Sequence, residues 1–101
     1  MRKSFKAELA VNDEPVELNA FVEEFLARTV VGGVSSLRGA ENIVSLELAL
    51  QPGAVKLVVN GEELPLTPFP RDVIRSTIIG LVSSLKGVVA AESVKIGVKV
   101  E

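Results

Sequence analysis

The chain has 101 residues and contains neither histidine nor cysteine, so it lacks the commonest general base, the commonest transition-metal ligand, and all thiolate and disulfide chemistry. Its formal net charge of −2 and sequence pI of about 5.2 give no electrostatic reason to bind nucleic acid or an anionic membrane. With 48% hydrophobic and 24% charged residues, it has the composition of a folded domain rather than of a disordered chain.

The chain carries no recognisable signal for a membrane or for secretion. Residues 1–8 begin with basic side chains but contain no apolar stretch, so we do not expect a signal peptide. No apolar run approaches the ~20 residues that a membrane-spanning helix needs. We therefore expect a cytoplasmic protein that needs no cofactor and no metal ion and that binds neither nucleic acid nor a membrane.

The first elements of the chain predict a hairpin. Residues 4–11 alternate between apolar and polar side chains, which is typical of a half-buried strand. Asn12-Asp13 follows, and a type I′ turn favours such residues because both of its central positions have positive φ. The returning residues 14–18 include Pro15, which cannot donate a ladder hydrogen bond, so they predict a short edge strand.

A helix and a further strand follow the hairpin. Asn19 is a favourable N-cap and Gly39 suits the left-handed residue that closes a helix, so a helix is predicted over residues 20–38. Residues 44–50 alternate again and predict a strand with one buried face. The next three residues, 51–53, read Gln-Pro-Gly and predict a tight turn.

The second half of the chain repeats this order at a distance of 48 residues. Residues 8–50 align without a gap with residues 56–98, and 14 of the 43 aligned pairs are identical. The alignment predicts a hairpin turn at Asn60-Gly61 and a helix over residues 68–86, with Thr67 as its N-cap. Alternating strands are expected on either side, as in the first half.

These elements predict an α+β fold: an internally duplicated β(β)αβ–β(β)αβ two-layer sandwich with a ferredoxin-like antiparallel sheet and two helices on one face. We expect a single domain, 1–101, built of two pseudo-symmetric repeats, about 4–50 and 54–100, since one repeat is too small for a core of its own. A pseudo-twofold axis is expected between the first long strands of the repeats, which brings Glu8 close to Lys56. The alternative is that each repeat closes as a small β-grasp-like half.

Small residues recur along one side of both predicted helices. At the 100° per residue of a helix, the three small residues of each helix lie within about 60° of one another. Such a stripe lets two helix backbones approach closely, so it predicts a contact between the helices. The alternatives are a groove for a ligand and a contact with another subunit. The stripe consists of Thr29, Gly32, Ser36, Thr77, Gly80 and Ser84.

The apolar arc of both predicted helices is wider than a surface helix needs. Our hypothesis is that the surplus forms a surface for self-association or for a protein partner. The alternative is that the sheet and the neighbouring helix bury all of these side chains except Val31 and Ile79. The predicted interaction surface comprises Val30, Val31, Val34, Ile78, Ile79 and Val82.

No residue pattern indicates catalysis. Residues 83–86 have a Ser-x-x-Lys spacing, but they lie at a predicted helix C-terminus, where the dipole favours the charged ammonium over a neutral lysine base. The carboxylates around the two hairpin turns lack the spacing of a calcium loop. All four phenylalanines are predicted on core faces, which leaves no aromatic residue on the open sheet face to stack on a base. RNA binding is therefore disfavoured.

The sequence favours a noncatalytic protein-interaction or assembly module, either a homo-oligomer or a small subunit of a larger complex. The alternative is a small-molecule-binding protein or a minor enzyme whose site lies between the two repeat helices. An apolar cavity with converging polar groups between the helices would favour the alternative. Interlocked helices with Val31 and Ile79 exposed would favour the interaction module.

Overall fold

The computed structural model describes residues 4–37, 40, 42–85 and 91–101. Over these residues the chain forms an α+β fold with a six-stranded antiparallel sheet and two helices. The elements in chain order are β1 (Phe5–Val11), β2 (Glu14–Val16), α1 (Ala20–Val34), β3 (Ser45–Gln51), β4 (Ala54–Val59), β5 (Glu62–Glu63), α2 (Pro68–Ser83) and β6 (Val94–Val100).

The centre of the sheet is formed by the last long strand of each half of the chain. The strands lie in the order β2-β1-β6-β3-β4-β5, and Leu48 of β3 faces Ile96 of β6. The first long strands, β1 and β4, lie outside this central pair. The expectation that these two strands adjoin and bring Glu8 close to Lys56 is therefore wrong.

The short returning strands explain this order, because a strand has only two edges. β4 pairs on one edge with β3 through the turn at Pro52-Gly53, since Gln51 is directly opposite Ala54. Its other edge pairs with β5 through the turn at Asn60-Gly61. With both edges of β4 occupied, β1 cannot reach it, and β1 pairs with β6 instead.

Both hairpin turns have the backbone that the sequence predicts. The φ angles are 52° at Asn12 and 66° at Asp13, and 52° at Asn60 and 85° at Gly61. These values lie in the left-handed region that a type I′ turn requires. β2 lies at one edge of the sheet, as expected from Pro15, and is shorter than the predicted residues 14–18. β5 lies at the other edge and has only two residues.

The turn asparagines also hold the start of a neighbouring strand. Oδ1 of Asn60 accepts the amide hydrogens of Val44 and Ser45 at 2.8 and 3.0 Å, and its Nδ2 donates to the carbonyl of Asn42 at 3.1 Å. Oδ1 of Asn12 accepts the two amide hydrogens that lead into β6 in the same way, at 2.9 and 3.0 Å. Each hairpin is therefore tied to a strand of the other half of the chain.

Both helices end earlier than predicted, at residues 34 and 83. The serine hydroxyls after the last turns donate to carbonyls three residues back, Ser36 to Gly33 and Ser84 to Leu81, both at 2.7 Å. Such bonds compete with the amide hydrogens of a further helical turn. Outside the described residues lie Gly39 and Gly87, predicted to close the helices, and Lys86 of the Ser-x-x-Lys segment.

Only one of the two predicted N-caps forms its side-chain bond. The amide of Val22 donates to Oδ1 of Asn19 at 2.8 Å, whereas Thr67 has the same extended backbone but makes no such bond. Val22 is the third helical residue of α1, and the third residue of α2 is Pro70. Because proline has no amide hydrogen, the usual donor to the cap is missing in α2.

The core lies between the two helices and one face of the sheet. Leu26, Val30 and Val34 of α1, and Ile78 and Val82 of α2, point into it. Every second residue of the long strands faces the same way, which leaves the opposite sheet face open. The sheet contributes Ala7, Leu9, Val11, Leu46, Leu48, Leu50, Leu57, Val59, Val94, Ile96 and Val98.

α1 also covers the outer edge of β1. β2 pairs only with the end of β1 nearest the turn, so the amide of Ala7 lies beyond it. Oε2 of Glu23 accepts this amide hydrogen at 3.0 Å. The guanidinium of Arg28 lies 4.5 Å from the centroid of the Phe5 ring. Side chains of α1 thus take the place of a strand along this part of the edge.

Candidate functional site

The predicted interaction surface is mostly core. Val30, Val34, Ile78 and Val82 are exposed by 3% or less of their surface, so in this fold they are not available to a partner. Val31 and Ile79 are half-buried against the core. The apolar arc is wide because two sides of each helix are apolar. One side packs against the sheet, and another borders the space between the helices.

The small-residue stripe does not form a close contact between helix backbones. A Cβ atom added at Gly32 or Gly80 would meet no atom of another element within 4 Å. The hydroxyls of Ser36 and Ser84 are used at the helix ends rather than converging on a common point. Among the residues that the structure describes, the glycines of the stripe therefore serve no close approach of another element.

An apolar groove separates the second half of α1 from the first half of α2. Its volume is about 250 Å³, and Leu48 of the central strand lies at its floor. Thr29 and Thr77 of the predicted stripe stand on opposite walls, and Ser36 also borders it, but Gly32, Gly80 and Ser84 do not. The other wall residues are Val30, Gly33, Val34, Leu37, Phe69, Pro70, Val73, Ile74 and Ile78.

The width of the groove depends on two residues. Gly33 on α1 and Val73 on α2 leave space between the helices. The positions 48 residues away, Leu81 and Phe25, carry larger side chains. A Cβ atom added at Gly33 would meet no described atom of another element within 4 Å, so there is open space beside this glycine.

Aromatic side chains stand exposed on the outer surface of the helices, where the sequence placed them in the core. Phe21 of α1 is 74% exposed, and Phe69 of α2, 48 residues later, is 78% exposed. Phe25 and Val73 follow one turn after each and are about half exposed, with the rings of Phe21 and Phe25 5.8 Å apart. We call Phe21, Phe25, Phe69 and Val73 the outer helix patch.

The sequence contains a signal for the part of the outer helix patch on α1, namely a second row of apolar residues along the helix. Along α1 the buried side chains Leu26, Val30 and Val34 recur every four residues, and Phe21 and Phe25 recur at the same interval on another side. The periodicity of the sequence does not distinguish two apolar rows on one helix from a single wide arc. Only one of these rows faces the sheet.

The open sheet face is lined by charged and small side chains. Lys6, Glu8, Glu47, Lys56, Lys95 and Lys99 stand on it, with Ala10, Ala49, Val58 and Gly97 between them. Shallow depressions of about 890 and 670 Å³ cover this face. Two of its lysines reach acidic residues at the turns and edges: Lys95 to Asp13 at 3.7 Å and Lys56 to Glu63 at 3.9 Å.

The described residues offer neither a metal-binding cluster nor a membrane-spanning helix. No group of three or more aspartates, glutamates, histidines or cysteines among them is arranged to hold a metal ion. None of the described helices is both long enough and apolar enough to cross a membrane.

Comparison of the chain with protein-family models, with curated proteins and with solved structures found no match in any of the three.

Proposed function

We propose that this protein is a noncatalytic protein-interaction module that binds a partner protein through the outer helix patch. The observation that carries the proposal is the exposure of Phe21 and Phe69, which occupy corresponding positions on the two helices. Burying one phenylalanine side chain contributes about 1.5–3 kcal/mol. The fold leaves both of these side chains in water, so it does not use the free energy that their burial would contribute.

The groove beside the outer helix patch supports the same function. Its 250 Å³ is smaller than the roughly 300–1,000 Å³ of typical small-molecule pockets. An apolar anchor side chain from a partner fits this size, and the aromatic ring of Phe69 at its border is typical of the side chains found at protein interfaces. We propose a partner that lays the apolar face of an amphipathic helix along α1 and α2, with one side chain in the groove.

A second candidate function is binding of a small apolar compound in the groove. The threonine hydroxyls at Thr29 and Thr77 favour it, because a few polar groups on an apolar wall orient a ligand. The variant Phe21→Ser separates the two, since Phe21 belongs to the outer helix patch but does not border the groove, so it should weaken binding of a protein partner and leave binding of a compound unchanged. A compound that copurifies with the wild-type protein in native mass spectrometry, and is retained by Phe21→Ser, would favour this second function.

We also propose that the chain is an internal duplication and that its two halves form one pseudo-symmetric domain. The strand registers support this, because pairings recur at positions 48 residues apart. Glu8 opposite Gly97 corresponds to Lys56 opposite Ala49. The pseudo-twofold axis then passes between Leu48 and Ile96, at the floor of the groove. A duplicated unit explains why an exposed aromatic residue recurs at the same place on both helices.

The experiment that tests the interaction function is affinity purification from the native host with wild-type protein and the double variant Phe21→Ser/Phe69→Ser. We expect at least one protein whose recovery falls tenfold or more in the double variant, about 1.4 kcal/mol of binding energy. Val44→Ser is the matched control, because Val44 is 62% exposed but lies outside the helices. Equal recovery of every protein by all three baits, with equal thermal stability, would overturn the proposal.

A further inference from the structure

Charge and side-chain size alternate regularly over the middle of the open sheet face. Two neighbouring rows cross the four long strands in the order β1, β6, β3, β4. Within each row a charged side chain alternates with a short uncharged one, and along each strand the same alternation holds. The acidic row is Glu8, Gly97, Glu47 and Val58, and the basic row is Ala10, Lys95, Ala49 and Lys56.

We infer that this face binds the same face of a second copy of the chain. A twofold axis relates the two copies. It lies between their two sheets, runs perpendicular to the strands, and passes midway between the acidic row and the basic row. Rotation about this axis lays the acidic row of one copy over the basic row of the other, strand for strand. Each long side chain then stands over a short residue of the second copy: Glu8 over Ala10, Lys95 over Gly97, Glu47 over Ala49, and Lys56 over Val58.

The charges of the two copies are complementary in this arrangement. Among the described residues, neither Glu8 nor Glu47 forms an ion pair within the chain. In the dimer, Glu8 lies over Ala10 of the second copy, which is next to Lys95 in the basic row. Glu47 lies over Ala49 of the second copy, between Lys95 and Lys56. Pairing is required here, because a charge removed from water without a partner costs several kcal/mol.

The face is also large enough. The described chain measures 35 × 34 Å in its two long dimensions and 18 Å in the third, so the sheet face exceeds the roughly 800 Å² per partner of a standard interface. The shallow depressions over the small residues provide the space that the long side chains of the second copy fill. A second copy therefore matches the face in size, relief and charge.

Charge reversal tests the inference by sedimentation velocity. We expect wild-type protein to be a dimer at high micromolar concentration and to dissociate as salt rises, because salt screens the pairs. Glu8→Lys/Glu47→Lys and Lys56→Glu/Lys95→Glu should each be monomeric, since like charges then face each other. Their equimolar mixture should form a heterodimer. A monomeric wild-type protein, or a mixture that stays monomeric while both variants are folded by circular dichroism, would overturn the inference.

A change of size without a change of charge provides an independent test. Gly97→Leu places a long side chain in one of the proposed holes, and the folded chain has room for it, since no atom lies within 4 Å of a Cβ there. We expect dimerisation to weaken at least tenfold. Gly80→Leu, at an equally open position on α2, and Phe21→Ser/Phe69→Ser should leave dimerisation unchanged. Dimerisation of Gly97→Leu at wild-type strength contradicts the inference, without bearing on the outer helix patch.

Discussion

At the scale of single residues, the turn asparagines combine two tasks that are usually separate. Asn12 and Asn60 adopt the positive φ of a hairpin turn, and their side chains also bind the first amides of the neighbouring central strand. The sequence predicts the turn because asparagine tolerates positive φ. It could not predict the side-chain bonds, because their partners are distant in the chain and become neighbours only once the strand order is known.

We predict that Asn60→Gly lowers the free energy of unfolding by about 1–3 kcal/mol, since it keeps the turn but removes three hydrogen bonds. Asn60→Ala should cost about 1–2 kcal/mol more, because alanine is strained at positive φ. Urea unfolding measures both. Asn42→Gly is the control, since Asn42 also has a positive φ of 53° but joins this network only through its carbonyl. An Asn60→Gly variant as stable as wild type would show that the side-chain bonds contribute nothing.

At the scale of elements, the positions of the strands and the starts of both helices follow from the sequence, whereas the helix ends and the exposed sides do not. The N-cap residues Asn19 and Thr67 are visible as residue types before an apolar pattern. The helix ends depend on whether the carbonyls of Gly33 and Leu81 accept a serine hydroxyl or the amide hydrogen of a further helical turn. The sequence does not decide between these two donors. The exposure of Phe21 and Phe69 could not be predicted because hydrophobicity alone does not tell which apolar row faces the sheet.

The two helices also provide a matched comparison of capping. We predict that Asn19→Ala destabilises the protein by about 1 kcal/mol, since it removes the bond from the amide of Val22. Thr67→Ala should cost much less, because Pro70 supplies no amide hydrogen to that cap. Thermal unfolding followed by circular dichroism compares the two. Equal losses would mean that the missing donor in α2 is unimportant and that Thr67 stabilises the helix start by another route.

At the scale of the whole molecule, the order of the strands is the main feature that the sequence interpretation missed. A ferredoxin-like order, which counts only the four long strands, places β1 beside β4. Once β2 and β5 are included, the edges of β1 and β4 that face away from the centre are occupied, and only β3 and β6 can meet in the middle. Two-residue turns with positive φ therefore decide the arrangement of strands far apart in the chain.

This order makes the two halves of the chain interdependent. β1 pairs with β6, and β4 pairs with β3, so a cut at the turn Pro52-Gly53 separates partners on both sides. We predict that fragments 1–53 and 54–101 are each largely unfolded at low micromolar concentration and that an equimolar mixture regains the circular dichroism spectrum of the intact chain. A fragment that folds alone as a monomer would contradict this, and would favour two β-grasp-like halves.

The covered edges of the sheet limit how copies can join. On β1, the carboxylate of Glu23 already occupies the amide of Ala7, and Pro15 of β2 has no amide hydrogen to offer. On the far side, the amide of Leu64 donates to the carbonyl of Leu57 at 2.8 Å, which extends the cover of β4 beyond β5. An incoming strand from another molecule finds few free donors or acceptors at these places, so sideways templating of the kind that leads to fibrils is hindered. Copies of this protein should therefore join through the faces of the molecule rather than by adding strands at its edges.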